Sequence, residues 1–159
     1  MISLIVAYGK GNKVIGINNQ MPWHIKEEFA HFKAYTLHKT LIMGEQTFIS
    51  IGKPLVNRKT IIATLTDFNY EHEDVSVTKD LFATLKTYKE KDEELVVCGG
   101  ATIYKLALPY VDKLVISEIK KEYVGDAYFP DFEHEFDLVS EEDKGEFVVK
   151  TYLSKKVKL

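Results

Sequence analysis

The stretch Thr40-Leu41-Ile42-Met43-Gly44-Glu45-Gln46-Thr47-Phe48-Ile49-Ser50-Ile51 passes from a short apolar run, through a glycine, into residues with helical spacing. A run without polar alternation reads as a strand covered on both faces. Outward from it, further runs at 2–8, 59–64, 95–98 and 113–119 read the same way, with helical patterns near 25–35, 46–51, 79–89 and 101–106. Strands alternating with helices imply a largely parallel sheet in an α/β domain. Residues 136–140 and 147–157 alternate more and flank the polar stretch 141–146, which contains Lys144-Gly145. That pattern predicts an antiparallel hairpin at the sheet edge. The expected fold is a central, mostly parallel, mixed sheet of about eight strands, four flanking helices and the C-terminal hairpin. Ligands of open α/β sheets bind at the carboxyl ends of strands, here near Ala7, Met43-Gly44, Thr64 and Cys98-Gly99.

The chain has 159 residues, which favours one domain over 1–159. Its net charge of -3 argues against a nucleic-acid partner, although Arg58-Lys59 and Lys155-Lys156 could each bind a small anion. The single cysteine, Cys98, allows no internal disulfide, and no secretory leader is evident, so the cytoplasm is expected. The apolar start, residues 1–8, is too short to span a bilayer, and no membrane contact is expected. Five histidines lie scattered without metal-ligand spacing. No exposed apolar stripe demands a second copy, and a monomer is expected.

Chemistry enters at Met21-Pro22-Trp23-His24-Ile25-Lys26-Glu27-Glu28-Phe29-Ala30-His31-Phe32. At about 100° per residue, a buried stripe of Ile25, Phe29 and Phe32 leaves Glu28 roughly 60–70° from its centre, with Glu27 on the opposite face. An unpaired ionised carboxylate at the core border is costly. Glu28 therefore has a basic partner, or it awaits a ligand with a raised pKa. The plain alternative is a boundary glutamate reaching for water.

Met21-Pro22-Trp23 followed by a carboxylate and Phe32-Lys33 resembles the dihydrofolate reductase family. In order come Ile15-Gly16, Ile42-Met43-Gly44, Thr47-Phe48, Ser50-Ile51-Gly52-Lys53-Pro54-Leu55, Arg58-Lys59, Gly99-Gly100, Ile103-Tyr104, and Gly125-Asp126 before Phe129-Pro130. The resemblance implies reduction of dihydrofolate to tetrahydrofolate with NADPH, and binding of antifolates such as methotrexate or trimethoprim. It makes Glu28, Trp23 and Ser117 catalytic. Glu28 would bind the pterin's 2-amino group and N3, as two parallel bonds to an ionised acceptor suit that edge. Trp23 would hold a proton-delivering water, and Ser117, at a strand end, would bond carboxylate and pterin. Without the motif, Trp23 reads as a core aromatic and Ser117 as a local capping hydroxyl. The substrate is expected against Ile5, Val6, Ala7, Glu28, Phe29, Phe32, Ile51, Leu55, Arg58, Cys98 and Ser117. Phe32, Ile51 and Leu55 would sandwich its aminobenzoyl group, and Arg58 would grip the glutamate tail by its planar fork.

For the cofactor, the resemblance implies Ala7, Ile15, Gly16, Asn19, Gln20, Met21, Gly44, Glu45, Gln46, Thr47, Thr64, Leu65, Thr66, Cys98, Gly99, Gly100, Ala101, Thr102, Ile103 and Tyr104. The paired glycines are joined by a cis peptide in the family. The loop 9–20, with three glycines, is expected to be a lid. Cys98 reads as a small buried hydrophobe. The chain departs from the pattern where many relatives carry Arg or Lys for the adenosine 2′-phosphate: it has Glu45 and Thr102. Glu45 could swing into solvent or accept from a ribose 2′-hydroxyl, as acidic residues do in NAD enzymes. NADPH is the expected main cofactor, with Lys79 able to replace the missing charge, and NADH is expected to be accepted. Two rival readings are the riboflavin-pathway pyrimidine reductase of the same fold and a non-catalytic nucleotide-binding module.

Overall fold

The computed structural model describes residues 1–156, so Val157, the far end of the expected hairpin strand, lies outside the described residues. In chain order the elements are β1 (Ile2–Gly9), β2 (Val14–Gly16), α1 (Lys26–Thr36), β3 (Thr40–Gly44), α2 (Glu45–Ile51), β4 (Lys59–Ala63), β5 (Val75–Thr78) and α3 (Leu81–Lys89). Then follow β6 (Leu95–Val97), α4 (Ala101–Ala107), a 3-10 turn (Leu108–Tyr110), β7 (Lys113–Ile119), β8 (Ala127–Tyr128), β9 (Phe136–Asp143) and β10 (Phe147–Ser154). Among the described residues no helix is long and apolar enough to cross a membrane.

Eight strands form one sheet in the order β5-β4-β3-β6-β1-β7-β10-β9. The first six are parallel, and the β9–β10 hairpin closes the edge antiparallel to β7, as expected. The apolar strands are covered on both faces because alternate side chains point to opposite sides. On one face Ile2, Leu4 and Val6 pack with Leu85 of α3 and with Tyr104 and Ala107 of α4. On the other, Ile5, Leu41 and Met43 pack with Phe48 of α2, and with Phe32 and Tyr35 of α1 at its margin. Each fully buried Leu or Ile of this kind contributes about 1.5–3 kcal/mol.

Three strands escape the pattern reading. β5 is short and only half-buried, and β2 pairs with β8 in a separate two-stranded sheet. The expected lid loop is thus partly organised: Ile17 and Gln20 bond each other's backbone, and Asn18 N–H donates to Asp126 Oδ2 at 3.0 Å. The helix expected from residue 79 begins instead at Leu81. Asp80 caps it by accepting from Ala83 N–H at 3.0 Å, which leaves Lys79 and Asp80 in the preceding loop.

Gly125 lets the β8 segment lie against β2. Asp126 N–H donates to the Gly16 carbonyl at 3.0 Å, and a Cβ on residue 125 would collide with that same carbonyl and with Val14 Cγ1. Gly125→Ala should therefore push β2 away and lower Tm by roughly 2–8 °C, for about 1–2 kcal/mol lost. It should also weaken binding of the dinucleotide that the resemblance implies, because it displaces Ile15 and Gly16, two of the residues expected to hold it. Thermal unfolding and nucleotide titration of the variant check both effects.

Candidate functional site

A cavity of about 1420 Å³ runs across the carboxyl ends of the parallel strands. Its wall takes Val6 and Ala7 from β1, Gly44 at the end of β3, Ala63 at the end of β4 with Thr64 after it, Thr78 at the end of β5, and Cys98 just after β6. Of the expected substrate residues, Phe29, Phe32, Ile51 and Leu55 join Val6, Ala7 and Cys98 on this wall. Of the expected cofactor residues it also carries Ile15, Gly16, Asn19, Gln20, Met21, Glu45, Gln46, Thr47, Leu65, Thr66, Gly100, Ala101, Thr102, Ile103 and Tyr104. A smaller pocket holds Trp23 and Glu28, and shares Met21, Phe29 and Lys33 with the large one. Ile5, Gly99, Arg58 and Ser117 are buried rather than part of the large wall.

The helix α1 corrects the expected stripe. Glu28 and Thr36 are its buried residues, while Phe29 is 47% exposed. The inward face runs through Ile25, Glu28, Phe32, Tyr35 and Thr36, so Glu28 sits within the buried face and not at its border. Phe29 instead overhangs both pockets. Glu27 and Glu28 fall in the first turn, where the helix dipole favours a carboxylate.

Glu28 is 6% exposed, and its pKa is raised by burial. Ser117 draws the pKa back down. Among the described residues no charged group offsets the burial, so Glu28 has no basic partner there. Ser117 lies within β7, opposite Ala7 and Val149, and not at the strand end as expected. Its hydroxyl is fully buried and makes no hydrogen bond within 3.5 Å among the described residues, although it lies close enough to influence Glu28. Trp23 Nε1 is also buried without a partner there, with the indole set 5.1 Å from the Tyr123 ring.

Arg58 has more structural work than the sequence suggests. Nε donates to Thr36 Oγ1 at 2.9 Å, Nη1 to the Val56 carbonyl at 2.6 Å, and Nη2 to the Lys33 carbonyl at 2.5 Å. These bonds tie the end of α1 to the loop after α2. Three of five N–H groups are used, which leaves one on each terminal nitrogen for a carboxylate. Lys33 and Lys53, absent from the sequence-based site, bring two ammonium groups to the cavity. Lys33 Nζ lies 4.8 Å from the centre of the Phe29 ring, a cation–π contact that its i+4 spacing could have signalled.

The Gly99-Gly100 peptide is cis, as the motif implies, and Gly44 N–H donates to the Gly99 carbonyl at 2.8 Å. Gly99 has φ +106°, and a Cβ there would press on the Tyr104 ring. Tyr104 in turn donates its hydroxyl to the Ile5 carbonyl at 2.9 Å. Cys98 is the small buried hydrophobe expected: burial pushes its thiol far up, and Sγ faces the Val96 carbonyl.

A dihydrofolate reductase family model matches residues 1–153. The dihydrofolate reductase of Haemophilus influenzae is 40% identical over 147 residues, which is 89% of each chain. That of Bacillus subtilis is 41% identical over 143 residues, 89% of this chain and 83% of the relative. The solved dihydrofolate reductase from Enterococcus faecalis, complexed with NADP(H) and RAB-propyl, superposes with a TM-score of 0.85 at 28% identity, covering 98% of this chain and 97% of that one. The α/β sheet, the cavity along its strand ends and relatives matched over nearly their whole length agree: the chain belongs to the dihydrofolate reductase family.

Proposed function

We propose that the chain reduces dihydrofolate to tetrahydrofolate with NADPH, as a cytoplasmic monomer, and that Glu28 orients the pterin. The observation that carries the roles is Glu28 itself, a buried carboxyl without a cation, beside two buried donors that have no partner among the described residues. Both its oxygens are free of ion pairs and can accept the two parallel N–H groups of an aminopyrimidine edge. Ser117 Oγ, buried and near Glu28, would bridge carboxyl and pterin. Trp23 Nε1 is placed to hold the water that brings a proton to N5.

Phe32, Ile51 and Leu55 line the same cavity and would hold the aminobenzoyl group, and the two remaining N–H groups of Arg58 would serve the glutamate carboxylate. The residues present fit a dinucleotide as well as a folate. The 1420 Å³ cavity exceeds the about 300–1,000 Å³ of a single small-molecule site, and it extends from α1 to the start of α3. When bound, NADPH supplies the hydride that reaches pterin C6. Ala7, Ile15 and Gly100 would flank the nicotinamide, and Gly44 to Thr47 the middle of the dinucleotide. Neither the pyrimidine reductase nor a non-catalytic module gains support, because relatives at about 40% identity carry the dihydrofolate reductase name.

Glu28→Gln should cut turnover at neutral pH by about a hundredfold or more while leaving NADPH binding intact. Wild-type turnover in this variant would overturn the assignment. The same substitution should raise Tm at neutral pH. Folded Glu28 holds its proton to higher pH than an unfolded glutamate does, so its ionisation removes stability as pH rises through the raised pKa. Below about pH 4 both states are protonated, and the Tm difference should close. An unchanged gap from acid to neutral pH would show that ionisation is not the cost.

Arg58→Ala should raise the KM for dihydrofolate more than it lowers kcat. It should also lower Tm, at roughly 2–4 °C per kcal/mol, since three hydrogen bonds to α1 and its neighbouring loop are lost. A fall in Tm with KM unchanged would leave Arg58 purely structural.

A further inference from the structure

The strand order places β4 and β5 at the end of the cavity remote from α1 and β1. That end is walled by Glu45, Thr64, Thr66, Lys79 and Asp80. Glu45 is not turned out to solvent. Its Oε2 accepts from Thr64 Oγ1 at 3.0 Å and from Thr66 Oγ1 at 3.2 Å. The two hydroxyls are themselves oriented: Thr64 Oγ1 accepts from Thr66 N–H at 3.1 Å, and Thr66 Oγ1 from Phe68 N–H at 3.2 Å. Two of the loop's N–H groups that could meet a phosphate, those of Thr66 and Phe68, are therefore taken by its own threonines, whose hydroxyls lie 3.0 Å apart and share the Glu45 carboxylate. Both bonds use Oε2, which leaves Oε1 to accept from a ligand.

The charges agree with this chemistry. Lys79 is the one cationic side chain on this part of the wall among the described residues, and its Nζ is ion-paired with Asp67 at 2.8 Å. Asp80 adds a second carboxylate beside it. An acceptor of this kind suits a sugar hydroxyl and repels a phosphate dianion. The Lys79–Asp67 pair is exposed on both sides, so it costs little to open, and Lys79 can turn to a phosphate that does enter.

Given the dinucleotide reading above, on which this rests, we infer that the chain uses NADH alongside NADPH, with Glu45 as the selectivity residue that accepts from the adenosine ribose 2′-hydroxyl. Lys79 is its counterweight and keeps NADPH usable. Calorimetric titration of the full chain with NADPH and with NADH, beside kcat/KM for both, tests the inference. The wild type should favour NADPH by less than about a hundredfold in Kd. Glu45→Gln should shift the ratio towards NADPH by about tenfold, through tighter NADPH and weaker NADH, as expected for one charge facing a dianion near the surface. Lys79→Ala should shift it towards NADH, and added salt should shrink that shift. A wild-type preference of a hundredfold or more, or a ratio that Glu45→Gln leaves unchanged, overturns the inference while the reductase reading stands. Binding of neither nucleotide overturns the reductase reading and the selectivity with it.

Discussion

A carboxyl held 6% exposed, with no cation beside it among the described residues, is the constraint on which this structure turns. Left to itself, the α1 turn that carries Glu28 would gain by moving into water. Packing and polar ties hold it in place. Phe32 and Tyr35 bury part of α1 against the sheet. Tyr35 OH donates to Glu94 Oε2 at 2.7 Å, the oxygen that also accepts from Ser3 Oγ of β1 at 2.6 Å. Arg58 fastens the last turn through the Lys33 carbonyl and Thr36 Oγ1. Trp23, stacked obliquely on Tyr123, fixes the chain just before the first turn. The helix is thus anchored at both ends and along one face, which keeps the Glu28 carboxyl buried.

The same anchoring explains what could be read from the residues and what could not. The parallel core was readable because strands buried on both faces are mostly apolar, as in β1, β3, β6 and β7. β2 and β8 are too short to show a period, and β5 carries only Val75 and Val77 as apolar residues. The motif located the Glu28 helix correctly, but hydrophobicity gave it the wrong rotation. A scheme that buries Phe and exposes Glu must place Phe29 inside, whereas here Phe29 overhangs the cavity and Glu28 lies within the buried face. Arg58 shows the complementary limit. Its type and motif point to a carboxylate, yet three bonds to a helix end and a loop depend on tertiary geometry that a linear reading does not contain.

Two glutamates now mark opposite ends of one cavity, and the fold treats them differently. Glu28 is buried with no partner of opposite charge among the described residues, whereas Glu45 is half-buried and receives two hydroxyl bonds. Changing the first disturbs a packed helix face. The second sits at strand ends beside exposed residues, with Leu65 at 90% exposure and Thr66 in the open loop. Substitutions at such places usually alter stability little. The Glu28 end is therefore constrained by packing, while the Glu45 end can exchange one side chain for another without moving a strand. A carboxylate at position 45, within an otherwise intact frame, is tolerated because of that difference in how deeply the two ends are built into the core.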